Sequence, residues 1–139
     1  MKTILRILER AGGYRPALYL KIENPPFMAL IIEAVPEPGP LGLAAISVAH
    51  YGGQNGDLMR DPEMCFELSK PPLCSLELSA YYFRNDYMGV EQYSRHRDGA
   101  NYVFVPTLYE EHQKFARLWD RNISDRGFLE ALTDKSIRG

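Results

Sequence analysis

Ile4, Leu5, Ile7, Leu8 and Ala11 recur at the spacing of one helix face, with Arg6, Glu9 and Arg10 on the other side. Thr3 is placed to cap that helix, and Gly12-Gly13 to end it. From Leu18 onward the period changes to two. Leu18, Leu20 and Ile22 alternate with Tyr19, Lys21 and Glu23, the pattern of a half-buried strand. Asn24-Pro25-Pro26 breaks it, and Phe27–Val35 follows as a nearly all-apolar central strand. Pro36-Glu37-Pro38-Gly39-Pro40 forces a turn, because proline cannot continue a ladder. Leu43–His50 reads as a third strand, with Ala44, Ile46, Val48 and His50 on one face.

Further strands are predicted at Met64–Leu68, Cys74–Phe83, Met88–Ser94 and Asn101–Val105. They are separated by Lys70-Pro71-Pro72, Arg84-Asn85-Asp86 and the hairpin signal Asp98-Gly99. The period then becomes helical. Thr107 and Glu110 have the spacing of a capping box, and Leu108, His112, Phe115, Trp119 and Ile123 form one core-facing stripe. Phe128, Leu129 and Leu132 suggest a final short helix, and Asp134–Gly139 a frayed tail. A helix, six or seven strands joined by short turns, and helices again predict an α+β domain. It would be a curved antiparallel meander with the N-terminal and C-terminal helices on one face, spanning residues 1–139 as a single domain.

Composition narrows the class. With 139 residues, 45% hydrophobic and 24% charged, the chain can bury a core without staples. A net charge of −2 argues against a nucleic-acid binder. Arg95-His96-Arg97 reads as a solvated hairpin end. Cys65 and Cys74 are too few for a disulfide framework or a zinc site. Strand parity turns Cys65 outward and Cys74 inward, so both are expected as reduced thiols. The apolar residues of the first helix are interrupted by charge, unlike an export signal, and no run is long enough to span a membrane. A cytoplasmic location follows as an expectation.

The chemistry-bearing residues concentrate in His50–Met64, which reads as a loop between two strands. There His50, Tyr51, Asn55, Asp57, Arg60, Asp61 and Glu63 bring an imidazole, a phenol, an amide, a guanidinium and carboxylates together. Asn55-Gly56 suits a tight turn. One reading makes Asp57 and Asp61 caps for backbone amides, with Arg60 paired to one of them. The other converges His50, Asp57, Asp61 and Glu63 on a divalent metal or a substrate. His50 shares its face with Ile46 and Val48, so a hydrogen-bonded core histidine is the simpler reading. Tyr82, Asp86 and Tyr87 lie in a second, tyrosine-rich segment, Tyr81–Tyr93, suited to binding. Trp119 is expected to anchor the long helix, and Asp120 and Arg121 to make local ion pairs or reach neighbouring loops. No phosphate loop, no Gly-x-Ser-x-Gly elbow and no histidine cluster is present, so no cofactor and no metal ligand set is assigned.

His50–Met64, Asn24-Pro25-Pro26-Phe27-Met28, Asn85-Asp86-Tyr87-Met88-Gly89 and Trp119-Asp120-Arg121-Asn122 together resemble a family of small uncharacterised bacterial proteins. That family is found on plasmids, phages and integrative elements, and the resemblance covers roughly residues 1–132. It implies a mobile-element setting and carries over no catalytic residues. Gly52-Gly53 stands where the usual form of the first motif has bulkier residues. The leading expectation is an accessory protein that binds a macromolecule, most readily another protein, with an inhibitor of host defence as one form. The alternative is a metal-dependent hydrolase or nuclease using the polar run. A third reading is a homodimer formed through exposed tyrosines on an edge strand.

Overall fold

The computed structural model describes residues 1–70, 72 and 75–139. Helix α1 (Lys2–Arg10) opens the chain. Six strands follow as one antiparallel sheet: β1 (Tyr19–Asn24), β2 (Phe27–Ala34), β3 (Ala45–Gln54), β4 (Asp57–Ser69), β5 (Glu77–Asn85) and β6 (Val90–Tyr93). Strands β7 (Arg95–Asp98) and β8 (Asn101–Phe104) make a separate ribbon, and α2 (Pro106–Asp125) and α3 (Phe128–Ala131) end the fold. The six strands lie in sequence order, and the sheet is not closed. The α+β meander is as the patterning predicts. The segment expected as a seventh strand leaves the sheet and pairs with β7 instead. Among the described residues no helix is long and apolar enough to cross a membrane.

The strand alternation sorts residues onto two faces. One row across the sheet is Leu20, Ile32, Val48, Met64 and Phe83, and a neighbouring one is Ile46, Phe66 and Ala80. These pack against Ile4, Ile7 and Leu8 of α1, Ala116, Trp119 and Ile123 of α2, and Phe128 of α3 in one core cluster. All three helices therefore cover the same face. Burial of this apolar stripe is the dominant favourable term for a fold of this kind. On α2 the buried stripe is His112, Ala116, Trp119 and Ile123, while Phe115 is displaced to the edge and is 37% exposed.

Local signals were partly replaced by long-range contacts. Thr3 lies inside α1, and the free amides of Thr3 and Ile4 are capped by the Asp120 carboxylate of α2, 117 residues away for Thr3 (3.1 Å). Asp120 thus docks two helices rather than pairing locally. The Thr107/Glu110 box does not form, because α2 starts one residue earlier at Pro106, with Val105 as its cap and no side-chain capping bond. Pro106 at the first helical position lacks an N–H that would have no partner within the helix. The tail is tied down: Asp134–Ser136 forms a 3-10 turn closed by a Thr133/Ser136 capping box, and Ile137 bridges Leu20 at the β1 edge. Pro71 and Cys74, with the turn and the inward thiol expected there, lie outside the described residues.

Candidate functional site

Two transverse rows cross the centre of the second face of the sheet. Among the described residues no helix lies across them; α2 reaches only the β5 end of this face, where the Tyr109 hydroxyl is 3.2 Å from Ser79 Oγ. The first row is Tyr19, Glu33, Ser47, Cys65, Tyr82 and Tyr93, and the second is Lys21, Ile31, Ala49, Glu63, Arg84 and Glu91. One end of this face is covered by the 36–43 loop. Glu67, fully buried there, accepts from the amides of Leu41 (2.9 Å) and Leu43 (3.2 Å) through one oxygen. Its other oxygen is 2.7 Å from Nη1 of Arg95. Arg95 also donates to the carbonyls of Ala80 and Ser79, at 3.1 Å each. The expected solvated run Arg95-His96-Arg97 is therefore half buried: Arg95 is 3% exposed because Glu67 draws it under the ribbon. Gly39 leaves room for this arrangement, since a Cβ there would meet the Glu67 side chain.

The polar run is a long hairpin rather than a loop. Gln54 pairs with Asp57 across Asn55-Gly56, whose φ angles are +52° and +83°. Those values are the left-handed geometry of a two-residue hairpin turn, which Asn-Gly favours. The strand signals missed this because the hairpin's residues are polar, while the turn chemistry was legible. A bulge at Asp61-Pro62 sets two residues of β4 against one of β3, and the Asp61-Pro62 peptide is cis.

This geometry divides the residues singled out in the sequence. His50 points into the helix-covered core, with its ring centroid 5.7 Å from that of Trp119 and 5.4 Å from that of Phe128. Its Nδ1 lies 3.2 Å from the Ala29 carbonyl oxygen, and burial pushes its pKa down. Asn55 and Asp57 are exposed at the hairpin tip. Asp61 accepts from Asn85 Nδ2 at 3.0 Å, a link between the bulge and the end of β5. Tyr87 lies across the hairpin, where a Cβ on Gly52 would come 2.6 Å from its hydroxyl. His50, Asp57, Asp61 and Glu63 do not converge, because strand parity puts His50 and Glu63 on opposite faces. Among the described residues no three His, Cys, Asp or Glu form a group able to hold a metal.

Tyr51, Arg60, Glu63, Tyr82 and Asp86 do come together on the uncovered face, in a charge network. Arg60 Nε lies 3.0 Å from Glu63 Oε1, but its N–H is not aimed at an acceptor, so this contact is charge attraction rather than a hydrogen bond. Ser47 donates to the other Glu63 oxygen at 2.6 Å. Asp86 accepts from the Arg60 amide (2.9 Å) and from Arg84 Nε (2.7 Å), which hold its pKa down. The Arg60 guanidinium lies 5.9 Å from the Tyr51 ring centroid. Tyr82 donates to Glu91 Oε2 at 2.5 Å, and burial followed by that bond pushes the phenol pKa up. Glu33 is raised by burial and by Glu63.

Sequence reasoning missed Glu33 and Ser47 here, and it held Arg84, Glu91 and Tyr93 only as members of the Tyr81–Tyr93 segment. The signal was the period of two itself, carried through Arg84 instead of being broken there.

Beside the network is a cavity of about 220 Å³. It is lined by Tyr81, Tyr82 and Tyr93, by Val35, Pro38 and the exposed Glu37, and by the buried Cys65. Cys65 is a free thiol. Burial pushes its pKa up to about 12, so it is protonated and unsuited to act as a nucleophile. The arrangement offers aromatic faces, phenol and carboxylate oxygens, and paired guanidiniums. These recognise surfaces well, and no nucleophile and base are aligned among them.

No curated protein and no solved structure matches the chain. Residues 2–129 match the domain of unknown function DUF6908, and the chain belongs to that family.

Proposed function

We propose that the protein is a small accessory protein that acts by binding another protein through the uncovered face of its sheet. The observation carrying this reading is the composition of that face. Tyr51, Tyr82 and Tyr93 stand among Arg60, Arg84, Glu63 and Glu91, on a rigid scaffold, with Tyr93 half exposed (50%). Tyrosine and arginine are the residues that most often dominate binding energy at protein interfaces. Glu33, Glu63, Asp86 and Glu91 outnumber Lys21, Arg60 and Arg84, which disfavours nucleic acid as the partner. The setting proposed is the cytoplasm of a bacterium carrying a mobile element, with a host defence component as one form of partner.

The test is affinity capture from the native host with three baits: the wild type, a Tyr51→Ala/Tyr93→Ala variant of the uncovered face, and an Arg117→Ala/Leu118→Ala variant of the helical side. The expected result is a protein retained by the wild type and the helical-side variant and lost with the tyrosine variant. Retention by all three baits, or by none, would count against the reading.

A further inference from the structure

We propose that the tyrosine-lined cavity takes the cationic side chain, lysine or arginine, of the partner polypeptide. This rests on the reading that the uncovered face binds protein, and it names the chemistry of the contact. Size is the first argument. Pockets for whole small molecules run to ~300–1,000 Å³. At about 220 Å³ this one suits a single side chain.

Aromatic faces are the second argument. The rings of Tyr82 and Tyr93 pack against each other, 4.8 Å apart between centroids and tilted by 54°, and both line the cavity, so they present it with adjacent aromatic surface. A cation within about 6 Å of such a ring is attracted to its negative face. Arg95 already occupies that relation to Tyr81, at 5.9 Å from the buried side. Among the described residues no cation is placed over Tyr82 or Tyr93.

Charge is the third argument. Glu37 lines the cavity, Glu91 is bonded to Tyr82, Glu33 belongs to the same row as Cys65, Tyr82 and Tyr93, and Glu63 stands in the adjoining row. Against them, Arg60 and Arg84 are paired with Glu63, Asp86 and Glu91, Arg84 also lying beside the Tyr82 hydroxyl, and Arg95 is paired with Glu67. The local field is therefore negative, complementary to a cation and repulsive to a carboxylate. Cys65 and the phenols are uncharged near neutral pH and leave that field unaltered.

The experiment titrates the full chain, carrying ¹³C-labelled tyrosine, with acetyl-Gly-Arg-Gly-amide and acetyl-Gly-Lys-Gly-amide. The matching citrulline and norleucine peptides are the neutral controls, and ring resonances are the readout. Saturable shifts at Tyr82 and Tyr93 with the cationic peptides alone are expected. Tyr93→Leu should weaken binding roughly threefold to tenfold, while Tyr93→Trp should preserve or strengthen it, as tryptophan is the better cation partner. Tyr93 is half exposed, so neither variant threatens the fold. Equal shifts with the neutral peptides would mean an apolar ligand. Shifts with protein concentration alone would mean a second copy in the cavity. Either result, or no shift at all, overturns the proposal. If the cavity ignores cations while Tyr51→Ala/Tyr93→Ala still loses its captured partner, only this inference falls and the binding face stands.

Discussion

Arg95 and Glu67 form a buried ion pair beneath the β7–β8 ribbon, with Nη1 and Oε1 2.7 Å apart and the side chains only 4% and 1% exposed. Glu67 also holds the 36–43 loop through Leu41 and Leu43, so the pair ties β4, the ribbon and that loop at one point. The same loop supplies Glu37 and Pro38 to the tyrosine cavity. Glu67→Ala strands a guanidinium in the interior. It is expected to cost about 3–5 kcal/mol, the usual penalty for breaking a buried pair by removing one partner. Urea unfolding checks this. Replacing both residues by apolar ones of similar volume should cost less than the single change, and a single-variant loss under ~1 kcal/mol would show that the pair is solvated.

Asp120→Ala removes the carboxylate that caps the Thr3 and Ile4 amides. A loss of about 1 kcal/mol is expected, the typical effect of deleting a cap, and Asp120→Asn should retain part of the effect. Circular dichroism during thermal unfolding measures both. Equal stability of all three proteins would place the cap elsewhere.

Burial lowers the pKa of both His50 and His112 below the ordinary 6.5. The unfolded chain then takes up protons first as pH falls. Stability from these two sites is complete above about pH 6.5 and is lost on acidification below it, by up to ~1.4 kcal/mol per pH unit for each histidine. Glu33 is shifted upward and contributes with the opposite sign, so the comparison that decides is between proteins. Denaturant midpoints at pH 7.5 and 5.5 should differ more for the wild type than for His50→Asn/His112→Asn. Identical differences would assign the acid sensitivity to other groups.

The hairpin tip is expected to tolerate loss of charge and to resist a change of backbone. Asp57→Ala should stay within ~0.5 kcal/mol of the wild type, as exposed surface changes usually do. Gly56→Ala forces a Cβ into φ +83° and should cost about 1 kcal/mol or more. Thermal melts of the two variants give the order, and a destabilising Asp57→Ala would restore a structural or ligand-binding role to that carboxylate.

The period of two made the core rows legible, and His50 was legible as a core histidine because it shares parity with Ile46 and Val48. Asn55-Gly56 disclosed its turn through the one dipeptide that most favours it. Three things were hidden for a common reason: each depends on residues far apart in the chain. Glu67 buries Arg95 from 28 positions away, Asp120 caps a helix at the other terminus, and β5 and β6 bring Arg84 and Glu91 beside Glu63. The split of His50 from Glu63 follows from alternation once the polar run is recognised as paired strands. Its low hydrophobicity disguised that pairing, since ladder hydrogen bonds and turn geometry hold the hairpin tip with little burial.

That the uncovered sheet face is the binding surface can be tested most directly by site-specific photo-crosslinking in the native host. Benzoylphenylalanine is placed in turn at Tyr51 and Tyr93 on the uncovered face, and at Arg117 and Leu118 on the exposed side of α2. A discrete adduct of one added mass from Tyr51 and Tyr93, and none from Arg117 or Leu118, is the expected result. Adducts from α2 alone would place the binding surface on the helical side and rule out the uncovered sheet face.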